Sequence, residues 1–157
     1  MMPTPDFILR LREKIGHDLL WLPGVTAVVL DDQDRVLLGR RADNGRWTLI
    51  TGILDPGEQP AVGVVREVLE ETGIVAEVEL LAEVYAGAPM EFVNGDKAQF
   101  LTLNFRCRHL SGEAQVNDDE SAEVGWFGLD ELPELTDYHR ARLQAALRAT
   151  GVAEFVR

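Results

Sequence analysis

The 157-residue sequence contains one cysteine, few aromatic residues and no long apolar run. A lone Cys107 excludes an internal disulfide and is typical of proteins from the reducing cytoplasm. No segment approaches the roughly 20 apolar residues of a membrane helix. The N-terminal Met-Met-Pro-Thr-Pro has neither the basic lead nor the apolar core of a signal peptide. We therefore expect a cytoplasmic protein without a membrane partner.

Positive charge is also scarce, because 15 Lys and Arg stand against 27 Asp and Glu and give a formal net charge of −12. Such a surface repels nucleic acids and anionic membranes, so we expect neither as a partner. It would also repel a small polyanion unless bound cations reverse the local charge. The three histidines, His17, His109 and His139, do not have the spacing of a zinc site.

Length and composition are those of one globular domain over residues 1–157. Apolar periodicity predicts a short N-terminal helix at about 5–15, a central helix at 61–72 and a C-terminal helix at about 138–150. Strands are predicted at 25–30, 36–38, 47–50, 75–85, 98–108 and 123–127, with a loop at 86–97. Strands interleaved with few helices predict an α/β/α sandwich with a central mixed sheet.

The central helix separates apolar from acidic residues on a helical wheel of about 100° per residue. We expect the apolar arc to face the core: Val64, Val65, Val68, Leu69 and Thr72. The opposite arc holds Arg66, Glu67, Glu70 and Glu71. Pro60 suits the first helical turn, and Gly73 suits the position just past the end. Gly63 costs about 1 kcal/mol relative to Ala inside a helix, and we interpret it as the place where the preceding loop approaches.

The acidic arc has two interpretations. On a solvated surface helix, Arg66 and Glu70 would form an ordinary i,i+4 pair. However, Glu67 and Glu71 are like charges at the same spacing, and their repulsion has no compensation. A divalent cation between them would convert the repulsion into chelation, because hard cations prefer carboxylate oxygens. We favour the metal site.

Residues 52–74 read Gly-x5-Glu-x7-Arg-Glu-Val-x-Glu-Glu-x-Gly-Ile. Every fixed position fits the signature of the Nudix hydrolases, so the chain resembles that family. The resemblance implies the Nudix fold and Mg²⁺-dependent hydrolysis of the pyrophosphate linkage in a nucleoside diphosphate derivative, with Mn²⁺ as a possible substitute. It leaves open an ADP-ribose-like sugar nucleotide or a nucleoside triphosphate as the small-molecule substrate. Homodimers are common among such proteins.

Two alternatives share the fold. An isomerase of isoprenyl diphosphates fits poorly with the full hydrolase signature and the single Cys107. A non-catalytic module that senses a nucleotide and regulates a partner is the alternative of a different class. Such modules usually carry a degraded signature, whereas this one is complete.

The resemblance also implies metal ligands. The glutamates that match Glu67 and Glu71 are the main ligands in the family, and the one that matches Glu70 often assists. The main-chain carbonyl of Thr51 would complete the shell. Many members carry Pro-Gly-Gly where this chain has Ile-Thr-Gly, which a carbonyl ligand tolerates although Thr51 is conformationally less free than glycine.

The resemblance implies that the remaining signature positions have structural roles. Glu58 would pair with Arg66 and brace the loop against the helix, while Gly52 and Gly73 mark the two ends of the motif. The general base differs between members. Some use a glutamate of the motif and others use one on a distal loop.

For this chain the candidate bases within the motif are Glu67 and Glu70. The distal candidate is Glu120, with Glu123 as second choice. An acidic surface turn at 118–120 is an equally good interpretation of that segment.

Two arginines and one aromatic residue could contact substrate. Arg40 and Arg41 close the second predicted strand and could bind phosphate oxygens, although such pairs are more often plain surface charge. Trp47 could stack on a base, but its position in a strand favours a core role. The predicted loop at 86–97 could select substrate or simply connect two strands.

Overall fold

The computed structural model describes residues 4–157. Within this part of the chain lie three helices and eight strands. Their order is α1 (Asp6–Ile15), β1 (Leu20–Leu30), β2 (Val36–Arg41), β3 (Trp47–Thr48), β4 (Ile50–Ile53), α2 (Pro60–Thr72), β5 (Val75–Ala86), β6 (Met90–Glu91), β7 (Lys97–Ser111), β8 (Ser121–Phe127) and α3 (Asp137–Arg148).

The elements differ from the predicted ones mainly at their ends. The predicted strand at 47–50 is divided into β3 and β4, and the predicted loop at 86–97 contains the short β6. Two residues are too few for an alternating pattern, so β6 is defined only by its pairing with β7. Helix α3 begins after Thr136, whose hydroxyl accepts a hydrogen bond from the His139 N–H, and it ends at Arg148, two residues before the predicted end.

The strands form one mixed sheet around β1. Strand β1 runs parallel to β7 along its whole length, and its other edge pairs antiparallel with β4 and, at Leu30, with β2. Strand β2 also pairs with β3 and β8, and β7 pairs with β5 and β6. Because β4 and β8 both join the β1–β2 side, the chain segments next to them come together at one end of the sheet.

Alternation along β1 sends side chains to two separate cores. The core between the sheet and α2 includes Val25, Ala27, Val29, Val64 and Val68. The core between the sheet and α3 includes Val28, Leu30, Leu38, Leu143 and Ala146. One helix therefore covers each face of the sheet, which confirms the α/β/α sandwich.

Helix α1 packs on a small third cluster that contains Ile8, Leu22 and Ala98, with Ile53 at its margin. Arg12 fastens this helix by donating a hydrogen bond of 2.7 Å to the Lys97 carbonyl. None of the helices in residues 4–157 is both long enough and apolar enough to cross a membrane.

A buried ion pair joins α3 to the sheet. Arg142 and Glu83 are only 6% and 8% exposed, and Arg142 Nε lies 2.7 Å from Glu83 Oε2. The guanidinium also lies 4.0 Å from the ring centroid of Tyr85, and Asn104 donates a hydrogen bond of 2.9 Å to the Arg142 carbonyl. Each charge is tolerated in the interior because the other is present.

We expect Arg142→Leu to lower the free energy of unfolding in urea by about 3–5 kcal/mol, because Glu83 would be left as an unpaired buried charge. Adding Glu83→Leu should recover at least half of that loss. Arg148→Leu is the matched control, since Arg148 lies on the same helix but its ion pair with Glu154, beyond the helix end, is exposed, and exposed pairs contribute little to stability. Equal losses for Arg142→Leu and Arg148→Leu would contradict this account.

Candidate active site

Helix α2 buries two of its glutamates. Glu67 and Glu71 are 2% and 5% exposed, whereas Leu69, which was expected to face the core, is 46% exposed. The buried face of α2 therefore includes Glu67 and Glu71 in place of Leu69. The interpretation of α2 as a solvated surface helix is wrong for these two glutamates. Apolar periodicity misplaces this arc because it counts every carboxylate as a surface group. Glu70 does lie at the surface, with its side chain 49% exposed.

Gly52 allows the Glu67 carboxyl group to lie against the backbone of β4. A Cβ at position 52 would overlap the carboxyl carbon of Glu67. Gly52 pairs with Val25, which puts it on the α2 face of the sheet, whereas Thr51 pairs with Thr26 and directs its side chain to the other face. The Thr51 carbonyl belongs to the peptide unit that joins it to Gly52. The motif's first glycine is thus required for close packing.

Arg66 braces the loop against the helix. Its Nε and Nη2 donate to the two carboxylate oxygens of Glu58 at 2.7 and 2.9 Å, and this pairing holds the pKa of Glu58 below its ordinary value. Its Nη1 donates to Glu67 at 2.9 Å and to Glu70 at 3.0 Å. Glu58 also accepts a hydrogen bond of 3.1 Å from the Asp55 N–H. One guanidinium therefore connects three glutamates of the motif.

Two further glycines shape the same region. A Cβ on Gly63 would overlap Leu54 Cδ2 and lie 2.9 Å from Glu58 Oε2, which confirms that the preceding loop approaches the helix there. Gly73 ends the helix with a φ of 71°, and its N–H donates to the Leu69 carbonyl. A left-handed residue at this position is the usual helix terminator.

The distal loop brings a further carboxyl group to the helix. The Glu120 side chain lies beside that of Glu71, within hydrogen-bonding reach of its carboxyl group. Burial, together with the neighbouring carboxylates of Glu120, Glu67 and Asp118, raises the pKa of Glu71 from 4.5 to about 10. Burial also raises the pKa of Glu67 to about 7, against the opposing effect of Arg66. Without a cation, these acids destabilise one another's charged forms.

The atoms around this cluster fit a divalent cation. Glu67 Oε2 and Glu71 Oε1 are buried without a hydrogen-bond partner, which is costly for carboxylate oxygens. In residues 4–157, no three His, Cys, Asp or Glu side chains form a ready-made metal cluster. Mg²⁺ does not require one, since it typically takes one or two carboxylates and keeps several waters. The two unpartnered carboxylate oxygens lie on successive turns of α2 and suit such a site.

The second-choice base lies elsewhere. Glu123 pairs with Arg40 across β2 and β8 at 2.9 Å, on an exposed surface. The pairing of β2 with β8 shifts register between Arg40 and Arg41. Glu120, just before β8, lies beside Glu71 of the motif. The sequence ranked Glu120 ahead of Glu123 but could not show how the two differ in position, because that depends on this irregular register.

Arg41 is closer to the carboxyl cluster than Arg40. Its main partner is Asp43, at 2.6 and 2.9 Å. That hydrogen bond raises the pKa of Arg41, and the charges of Glu120 and Glu71 raise it further. An arginine in this position adds positive potential beside an otherwise acidic site.

A cavity of about 500 Å³ adjoins the turn that follows β2. It is lined by Gly45, Arg46, Trp47, Glu134 and Thr136. The turn is closed by a hydrogen bond from the Arg41 N–H to the Arg46 carbonyl. Trp47 is half-buried and packs edge-on against Phe127 with centroids 4.8 Å apart, so it serves the core and the cavity wall together. Nothing in the sequence pattern indicated that Glu134 and Thr136, the two lining residues before α3, contribute to this cavity.

We expect Gly63→Leu to lower the free energy of unfolding by roughly 1–3 kcal/mol, because the new side chain must displace Leu54 and Glu58 from a packed site. Urea unfolding measures this loss. Ala61→Leu is the control, since Ala61 is exposed on the same helix. Equal stability of the two variants would contradict a close approach at Gly63.

Replacing Glu71 should change how stability depends on pH. Because the pKa of Glu71 is raised from 4.5 to about 10, the native metal-free protein keeps a proton that the unfolded chain releases. Stability should therefore fall as the pH rises through that window. The amide of Glu71→Gln mimics the protonated group and removes this loss.

In EDTA, the Tm of Glu71→Gln relative to wild type should be at least about 2 °C higher at pH 8 than at pH 5, which corresponds to about 1 kcal/mol in a chain of this size. Glu77→Gln, on the exposed surface of β5, serves as the control. A Tm difference between Glu71→Gln and wild type that does not change with pH would show that Glu71 is ionised in the native state.

Comparison with known proteins agrees with this geometry. The NUDIX domain profile matches residues 20–148. A MutT-like protein of Streptomyces ambofaciens is 40% identical over 128 residues, which is 81% of this chain and 77% of that protein. The ADP-ribose pyrophosphatase of Methanocaldococcus jannaschii is 28% identical over 90% of this chain and 83% of its own length. The crystal structure of a MutT NUDIX hydrolase from Burkholderia pseudomallei superposes with a TM-score of 0.65 at 31% identity, covering 80% of this chain and 98% of that one. The chain belongs to the Nudix hydrolase family.

Proposed function

We propose that this protein hydrolyses the pyrophosphate linkage of a nucleoside diphosphate derivative with the help of Mg²⁺. One observation carries the proposal. Glu67 Oε2 and Glu71 Oε1 are buried and have no hydrogen-bond partner, and the Glu67 carboxyl group lies against Gly52. Glu67 and Glu71 would be the main ligands, with the Thr51 carbonyl and Glu70 in support. Mn²⁺ is an acceptable substitute, because it also accepts carboxylate, carbonyl and water ligands.

The cation would supply neutralisation of the diphosphate charge. The chain's own groups hold the cation and move a proton. Arg66 holds one oxygen of Glu67 and one of Glu70, which makes these two poorer acceptors for the proton of an attacking water. Glu120 lies beside Glu71 and comes from a separate loop. We therefore assign proton removal to Glu120, with Glu67 and Glu70 as the alternatives.

The organic part of the substrate would occupy the cavity lined by Trp47 and Arg46. Its volume of about 500 Å³ lies in the range of small-molecule sites. Arg41 would contact phosphate oxygens between the cavity and the carboxyl cluster, whereas the pairing of Arg40 with Glu123 favours a structural role. The relative named ADP-ribose pyrophosphatase supports a sugar nucleotide as substrate, and a relative named putative 8-oxo-dGTP diphosphatase supports a nucleoside triphosphate.

The chain's charge and its cysteine support a small-molecule enzyme of the cytoplasm. A net charge of −12 disfavours nucleic acid as a partner. Cys107 is buried and its pKa is raised by that burial to about 12, so a reactive thiol is not part of the mechanism. Homodimerisation stays a prediction that a sizing measurement would test.

A panel of sugar nucleotides and nucleoside triphosphates, assayed with Mg²⁺ and analysed for both products by mass, tests the activity. Wild type should cleave at least one class between the phosphates. Glu71→Gln should lower kcat at least about 100-fold, because a lost ligand removes several kcal/mol of charge stabilisation. Glu77→Gln is the control and should keep wild-type turnover.

Full turnover by a folded Glu71→Gln variant would exclude the proposed metal site. Tight nucleotide binding without any hydrolysis would instead indicate the sensing module. The product masses also identify which phosphorus atom is attacked, since incorporation of ¹⁸O from labelled water marks it.

A further inference from the structure

The segment between β7 and β8 is attached to the C-terminal end of α2. The Gln115 N–H donates to the Thr72 carbonyl at 3.0 Å, and the Asn117 N–H donates to the Glu71 carbonyl at 3.3 Å. The Asn117 side chain adds a third bond, from Nδ2 to the Leu69 carbonyl at 3.2 Å. The last carbonyls of a helix have no partner within the helix, so this segment supplies donors to those of Glu71 and Thr72 and a second donor to that of Leu69, which also accepts from the Gly73 N–H.

Asn117 makes two of these bonds, and they reach carbonyls on adjacent parts of the last turn. A single bond would limit only the distance between the loop and the helix. Two bonds from one residue to carbonyls two positions apart also limit its orientation. The backbone and side-chain bonds of Asn117 together therefore limit both its distance from α2 and its orientation.

The chain then reaches Glu120 within three residues. Asp118 Oδ1 accepts a hydrogen bond of 2.9 Å from the Glu120 N–H, which tightens the turn. The Glu120 carbonyl accepts a bond of 2.8 Å from the Ala42 N–H, just after β2. The short bridge from Asn117 to Glu120 is thus fastened to α2 at one end and to the β2 side of the sheet at the other.

We propose that Asn117 is a positioning residue that sets the Glu120 carboxyl group against Glu71. This inference rests on the proposed function and on the role assigned to Glu120. The same helix turn carries both Glu71 and the carbonyls that Asn117 binds, so a shift of Asn117 moves Glu120 relative to the cation ligands. A merely structural Asn117 would cap α2 and affect stability alone.

The two roles predict different measurements. Asn117 lies at the surface, and an exposed hydrogen bond contributes only about 0.5–1.5 kcal/mol to stability. Displacement of a catalytic group by about 1 Å can lower turnover by up to about 100-fold. A positioning role therefore predicts a loss of kcat much larger than the loss of stability would explain.

The variants are Asn117→Ala, which removes the side-chain donor, and Asn117→Asp, which keeps the shape but replaces the donor with an acceptor. Val116→Ala is the matched control, because Val116 is the preceding residue of the same loop and is 46% exposed. Kinetics with Mg²⁺ and the best substrate of the panel give kcat and KM, and thermal unfolding gives Tm. Both Asn117 variants should lower kcat at least about tenfold, leave KM within about twofold and lower Tm by no more than the few degrees expected for the loss of one hydrogen bond, whereas Val116→Ala should keep wild-type kcat.

A double-mutant cycle with Glu120→Gln provides the discriminating readout. If Asn117 acts through Glu120, Asn117→Ala should cause no further loss of kcat in the Glu120→Gln background. An equal loss in both backgrounds would overturn the proposal, and so would full turnover by Glu120→Gln. Wild-type kcat in both Asn117 variants, alongside an inactive Glu71→Gln, would overturn this inference while leaving the hydrolase intact. Absence of hydrolysis by wild type would overturn both.

Discussion

Two carboxylates buried on successive turns of one helix are the constraint around which the rest of the site is arranged. Glu67 and Glu71 each have an oxygen that no hydrogen bond satisfies, and burial raises the pKa of both. Such an arrangement opposes folding, so other contacts must hold it in place. The valines of α2 do so from the core side, and the bidentate Arg66–Glu58 pair does so from the side of the preceding loop.

The fold forms the site by bringing a strand and a loop against α2. Strand β4 brings Gly52 against Glu67, and the loop before β8 brings Glu120 against Glu71. Both segments join the sheet on the β1–β2 side, where β1 changes partner from β4 to β2. Alternation on β1 then separates this site from the second core beneath α3. The buried Arg142–Glu83 pair therefore stabilises the opposite face without charging the site.

Much of the fold and of the motif could be predicted from the sequence, because glycines and charges at fixed spacing have local causes. Gly63 was predictable since a glycine inside a helix costs about 1 kcal/mol and needs a reason. The buried arc of α2 was misplaced, because hydrophobicity cannot indicate an acid that is buried for function. Asn117 and the cavity residue Thr136 were missed for another reason: their contacts join segments far apart in sequence and leave no periodic signal.

The two proposed ligands share one arrangement that explains why so many acids stand together. Glu67 is held by its Oε1, which accepts from Arg66, and its Oε2 is left without a partner. Glu71 also has an unpartnered oxygen, Oε1, and Glu120 lies beside its carboxyl group. Each carboxyl group thus has a neighbouring side chain beside it and one oxygen that stays available. Partners that orient ligands in this way are a general feature of metal sites. Arg66 and Glu120 therefore have parallel roles: Arg66 orients Glu67 through a charged hydrogen bond, and Glu120 lies beside the carboxyl group of Glu71.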